Sequence, residues 1–158
     1  MEALQTDLDR GEPSSINRTA DPEPQVGGLA ILLVDDDPDI AAMFGFGLRA
    51  AGYDVVLAGD GGIAVGLATR TRFDLVLLDV NLPHVDGIEA LRLLRSHPST
   101  RDLPVVMFTN SDDQAIRSRA QSLGISDWLV KSRVLPGDLA QWIAPCSTSA
   151  GSLPSPAT

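Results

Sequence analysis

Leu75-Val76-Leu77-Leu78-Asp79-Val80-Asn81-Leu82-Pro83 is the stretch from which the rest of the chain can be read. An unbroken apolar run enters a single carboxylate and is stopped by Asn81 and Leu82-Pro83. That is the pattern of a strand buried on both faces, with Asp79 delivered to its C-terminal end. An Asp in that place serves as a nucleophile or merely as a cap for the turn that follows, so its role depends on what the other strands bring to the same edge.

Working outward, short β-rich apolar runs alternate with segments of helical period. Strands are predicted over 29–34, 53–57, 74–78, 103–108 and 126–130, and helices over 38–51, 60–71, from Asp86 to the His97-Pro98 break, over 112–123, and in a short segment after Pro136. Ile40, Met43, Phe44, Phe46 and Leu48 supply the apolar stripe of the first helix, which Gly52 ends. Leu139, Trp142 and Ile143 have the spacing of core contacts on the last helix. Asp86 followed three positions later by Glu89 reads as a capping box, and Asp37-Pro38 as an N-cap and first-turn pair. Each connection between strands is too long for a hairpin. The fold class is therefore α/β, a doubly wound five-stranded parallel sheet of order 2-1-3-4-5, whose ligands sit beyond the C-terminal ends of the strands.

Composition narrows the function classes. The 158 residues, 44% hydrophobic, fill one ordinary core. Twelve Lys and Arg among 21 acids, a net charge of −9, do not make a phosphate-binding patch, so no nucleic-acid partner is expected. Cys146 is the single cysteine, which excludes an internal disulfide and fits a reducing compartment. With no signal-peptide pattern and no apolar run near the roughly 18 residues of a membrane span, a cytoplasmic protein without membrane attachment is expected. Pro, Gly and polar residues dominate 1–28 and 145–158, which are expected to be flexible tails around a domain at 29–144.

The residue after each predicted strand is informative. Asp35 and Asp36 follow the first, Asp79 the third, Thr109 the fourth and Lys131 the fifth, and these four strands are neighbours in the expected order. Three carboxylates brought together repel, and a hard divalent cation relieves the repulsion. Oxygen donors without His or Cys favour Mg²⁺ over zinc, and Mg²⁺ is usually shared with a phosphate. His84 and His97 have no Cys or second His at ligand spacing, and the glycines at 59–62 lack the Lys-Ser/Thr of a phosphate loop.

At this point the residues resemble the receiver domain of two-component response regulators, which has a flavodoxin-like fold. The resemblance rests on Leu33-Val34-Asp35-Asp36-Asp37-Pro38, on Leu77-Leu78-Asp79-Val80-Asn81-Leu82-Pro83 with Asp86-Gly87, on Phe108-Thr109 and on Trp128-Leu129-Val130-Lys131, and it covers about residues 29–143. It implies that Asp79 takes a phosphoryl group from a histidine kinase or histidine phosphotransfer protein. Asp36, Asp79 and the main-chain carbonyl of Asn81 would hold Mg²⁺, with Asp35 acting through a water. Lys131 and Thr109 would contact the phosphoryl oxygens, and Thr109 with Trp128 would switch the surface that a downstream protein reads.

The length leads to the expectation of a stand-alone regulator without its own DNA-binding domain, and the resemblance implies that it is not a multiple-turnover enzyme. A phosphorylation-independent interaction module is the alternative. An aspartyl-phosphate hydrolase of small molecules would need a second acid where Asn81 stands. Departures from the family pattern are Ser132 where a proline usually follows the Lys, Asn110 where a small residue usually follows the Thr, and Trp128 in place of the commoner Tyr or Phe. Asn81 and Ser111 occupy positions that influence dephosphorylation. The oligomeric state is not indicated.

Overall fold

The structure, a computed structural model, describes residues 29–144; the tails expected at 1–28 and 145–158 lie outside the described residues. Five strands, β1 (Ala30–Val34), β2 (Asp54–Ala58), β3 (Leu75–Leu78), β4 (Val105–Thr109) and β5 (Asp127–Val130), form one parallel sheet in the order β2-β1-β3-β4-β5. This is the expected 2-1-3-4-5 arrangement. The helices are α1 (Pro38–Ala50), α2 (Gly61–Arg70), α3 (Gly87–Ser96), α4 (Gln114–Leu123) and α5 (Pro136–Ile143).

Alternation along each strand divides the core. Leu32, Val34, Val76, Leu78, Val105 and Met107 face one side, with Ala64, Ala68, Leu91, Leu94 and Ala120 from α2, α3 and α4. Ile31, Leu33, Leu75, Leu77, Val106 and Phe108 face the other, with Phe44 and Leu48 of α1 and Leu139 and Ile143 of α5. Full burial of one such Leu or Val side chain contributes roughly 1.5–3 kcal/mol, which is why strands covered on both faces are unbroken apolar runs.

The apolar stripe of α1 differs from the expected one. Ala41, Phe44, Gly45 and Leu48 are buried, whereas Met43 is 45% and Phe46 74% exposed. The reason is geometric: Phe44 and Phe46 are two positions apart, about 200° around a helix, so they cannot share a face. Within α3, Asp86 accepts from the Glu89 N–H at 2.9 Å, but the Glu89 carboxylate pairs with Arg92, so the capping box is only half made.

Four helices start on an Asp that caps them. Asp37, Asp60, Asp86 and Asp113 accept backbone N–H groups of α1, α2, α3 and α4. All four caps lie at the sheet edge where the strands end. They use up the acids whose function is local and leave Asp35, Asp36 and Asp79 uncommitted to a helix.

The β3 end is pinned from below by Gly87. Its N–H donates to the Val80 carbonyl at 2.8 Å, and a Cβ there would stand 2.0 Å from the Asp79 carbonyl oxygen. Gly87→Ala is therefore expected to lower stability by about 2–3 kcal/mol, because backbone must move to admit the methyl group. Gly59→Ala, where a Cβ meets nothing within 4 Å, should leave it within about 0.5 kcal/mol. Urea unfolding of both variants checks the contrast.

Candidate functional site

Asp35 follows β1, Asp79 follows β3, and both are buried, at 4% and 6% exposure, while Asp36 is exposed. Their backbones are tied to neighbouring strands: Asp35 N–H donates to Ala58 O at 3.0 Å and Asp79 N–H to Val34 O at 3.1 Å. Ligand oxygens of Asp35, Asp36 and Asp79 all fall within 4.8 Å of one another. Lys131, the first residue after β5, donates to Asp35 Oδ2 at 2.5 Å and to Asp79 Oδ2 at 2.8 Å. The remaining Oδ1 of Asp35 accepts from Asp37 N–H at 2.9 Å, and Oδ1 of Asp79 from Asn81 N–H at 3.4 Å.

Two acids, brought together by the sheet, thus share one ammonium. Burial works to lower the Lys131 pKa, but hydrogen bonds and charge from Asp35 and Asp79 prevail and hold it above the ordinary value near 10.5. With Asp36 counted, three carboxylates still face one cation. This all-oxygen donor set suits a hard divalent ion better than zinc or copper, which favour His and Cys ligands.

Thr109 is the last residue of β4 rather than the one after it, fully buried between the Asp79 and Lys131 strand ends, and its hydroxyl accepts from Ser111 N–H at 3.2 Å. Asn81 is exposed at the start of the β3–α3 loop. Asp35, Asp36, Asp79, Lys131, Thr109 and Asn81 therefore gather at one edge. Trp128 stands apart from them within β5, 4% exposed, with the Arg117 guanidinium of α4 5.8 Å from its ring centre. Its indole N–H is buried without an acceptor among the described residues.

The departures resolve in part. No described peptide bond is cis, so the Lys131–Ser132 bond is trans. Ser132 N–H donates to Asn110 Oδ1 at 2.8 Å, a contact between residues 22 positions apart that no spacing rule would have joined.

The model of the response regulator receiver domain matches residues 31–143. This chain belongs to that family. The receiver is 38% identical over 114 residues to the probable transcriptional regulatory protein TcrX of Mycobacterium tuberculosis, covering 72% of this chain and 46% of that protein. It is 33% identical over 117 residues to the autoinducer sensor kinase/phosphatase CqsS of Vibrio cholerae, covering 72% and 17%. The chain thus spans less than half the length of these relatives.

Among solved structures, the receiver superposes on the chemotaxis protein CheY4 of Vibrio cholerae with a TM-score of 0.67 and 32% identity, covering 72% of this chain and 94% of that one. It also superposes on the receiver domain of a Pseudomonas aeruginosa sensor histidine kinase, whose structure has a magnesium ion coordinated in the active-site cleft. There the TM-score is 0.69 and the identity 34%, covering 77% and 99%. No helix among the described residues of the receiver is long and apolar enough to cross a membrane.

Removing Lys131 leaves two buried carboxylates without their counter-ion. In chelator at pH 7, Lys131→Met is expected to lose about 3 kcal/mol of stability. Because the folded pKa of Lys131 is raised, its contribution is fully present below pH of about 10.5 and is lost as pH rises through the folded value. Urea midpoints of wild type and variant should therefore differ by a constant amount from pH 7 to about 10 and converge above it.

Proposed function

We propose that this receiver accepts a phosphoryl group on Asp79 from a histidine kinase or histidine phosphotransfer protein, with Mg²⁺, and signals through contact with another protein. The observation that carries the reading is the Lys131 bridge. It holds an otherwise repelling carboxylate pair at the open end of a parallel sheet, where an incoming phosphoryl group can reach them.

Asp36, Asp79 and the Asn81 carbonyl would hold Mg²⁺, with Asp35 acting through a water. When bound, the ion supplies Lewis-acid charge that offsets repulsion between carboxylate and phosphoryl oxygens. Each group on the chain has its own part. An Asp79 oxygen attacks phosphorus while the donor imidazole leaves, and the aspartyl phosphate stays on the chain. Lys131 exchanges part of its bond to Asp79 for a phosphoryl oxygen, and Asp35 keeps the ammonium in place. The Thr109 hydroxyl, held now by the Ser111 N–H, donates to a second phosphoryl oxygen once it turns.

Thr109 and Trp128 form the switch in this proposal. Burying the Trp128 N–H without an acceptor among the described residues costs about 1–3 kcal/mol, which a position that reaches an acceptor would recover. The receiver turns over no small-molecule substrate: its product is itself modified. It acts in the cytoplasm, within the bounds 29–144, and binds no nucleic acid through this domain. The listeners to its state are proteins that read the surface around α4, β5 and α5.

Incubation with a radiolabelled phosphodonor and Mg²⁺ should label the wild type. Asp79→Asn should reduce labelling at least about a hundredfold, since the nucleophile is gone, and chelator should do the same. Labelling of Asp79→Asn at the wild-type rate would sink the reading. Partner capture that is indifferent to both Asp79→Asn and chelator would instead favour a phosphorylation-independent module.

A further inference from the structure

Resting on the acceptor reading above, we propose that Asn110 is a positioning residue for Lys131: its amide oxygen holds the Lys131–Ser132 peptide and so aims the ammonium at Asp35 and Asp79. Lys131 opens a single three-residue turn, Lys131–Arg133, that has no side-chain cap of its own and is closed by one bond, Val134 N–H to Lys131 O at 3.2 Å. A turn so short is a weak mount for a side chain with four rotatable carbons. The second restraint comes from outside it, as Asn110 Oδ1 receives Ser132 N–H at 2.8 Å.

The chemistry of this bond is unambiguous. A backbone N–H can be met only by the oxygen of the amide, so the orientation of Asn110 follows from the contact. Placement is equally constrained. Thr109 pairs with Val130 as the last step of the β4–β5 ladder, so Asn110 and Lys131 leave adjacent strands side by side. The Asn110 side chain extends that ladder across the site mouth after the backbones have parted.

The two departures therefore belong together. A proline at 132 has no N–H to donate, and a small apolar residue at 110 has no oxygen to accept, so either usual residue alone abolishes the bond. Here the rigidity that a proline ring would give the turn is supplied by a hydrogen bond from the neighbouring loop.

Full-length wild type, Asn110→Ala, Ser132→Pro, Lys131→Ala and the pairwise combinations with Asn110→Ala are compared for labelling by radiolabelled acetyl phosphate with Mg²⁺. Both Asn110 and Ser132 are exposed, and thermal midpoints check that the variants remain folded. Asn110→Ala is expected to slow labelling about tenfold, the usual scale for loss of a supporting contact behind a reacting group. The same substitution should have no further effect in the Lys131→Ala or Ser132→Pro background. Unchanged or faster labelling of Asn110→Ala overturns the proposal, as does an equal loss in the Lys131→Ala background, which would make Asn110 act independently of the ammonium. If the wild type itself fails to label, the acceptor reading falls, and hydrogen exchange at the Ser132 amide judges the bond. Exchange about five- to tenfold faster in Asn110→Ala supports it, and unchanged exchange overturns it.

Discussion

Asp35 and Asp79 are like charges on adjacent strand ends, both almost wholly removed from water, and the arrangement stands because one ammonium meets them together. Lys131 leaves β5, two strands away from β3 with β4 between, a lateral gap of roughly 10 Å at the usual strand spacing. Only a long side chain closes that gap. The favourable Coulomb energy of a low-dielectric site holds the Asp79 carboxylate in one place, and desolvation offsets much of it. The pair is therefore poor as a stabilising device.

Everything around the bridge follows from parallel topology. Right-handed crossovers return every strand in the same direction, so all the C-terminal ends, and every helix start, meet on one edge. That edge would be crowded with acid if the Asp residues were equivalent. Asp37, Asp60, Asp86 and Asp113 are committed to helix N-termini, where unpaired N–H groups and the helix dipole hold them, whereas Asp35, Asp36 and Asp79 bring their oxygens together. Gly87 contributes by absence, letting the start of α3 close on the Asp79 carbonyl so that the strand end cannot drift.

The family match concerns this domain and not the remainder of the longer relatives, which carry more than half their length elsewhere. Further features lie outside the carboxylate and ammonium cluster. There the chain has its own features: the Trp128 ring under Arg117, the Asn110–Ser132 bond across the mouth, and the outward Met43 and Phe46 on α1.

Sequence alone determined the order of elements, the parallel sheet and the gathering of Asp35, Asp36, Asp79, Thr109 and Lys131, because doubly buried strands must be continuous apolar runs and their ends are marked by the first polar residue. It also sorted Asp37 and Asp86 as caps, since capping is a contact between near neighbours. Tertiary structure decided the rest. Which face of α1 is covered depends on where β1, β2 and α5 lie, and periodicity with too many apolar residues admits more than one stripe. That Lys131 divides itself between two carboxylates, that Trp128 fits inside, and that Asn110 meets Ser132 are contacts between residues far apart in the chain. Their geometry is set by strand register and loop paths, which no local pattern of residues encodes.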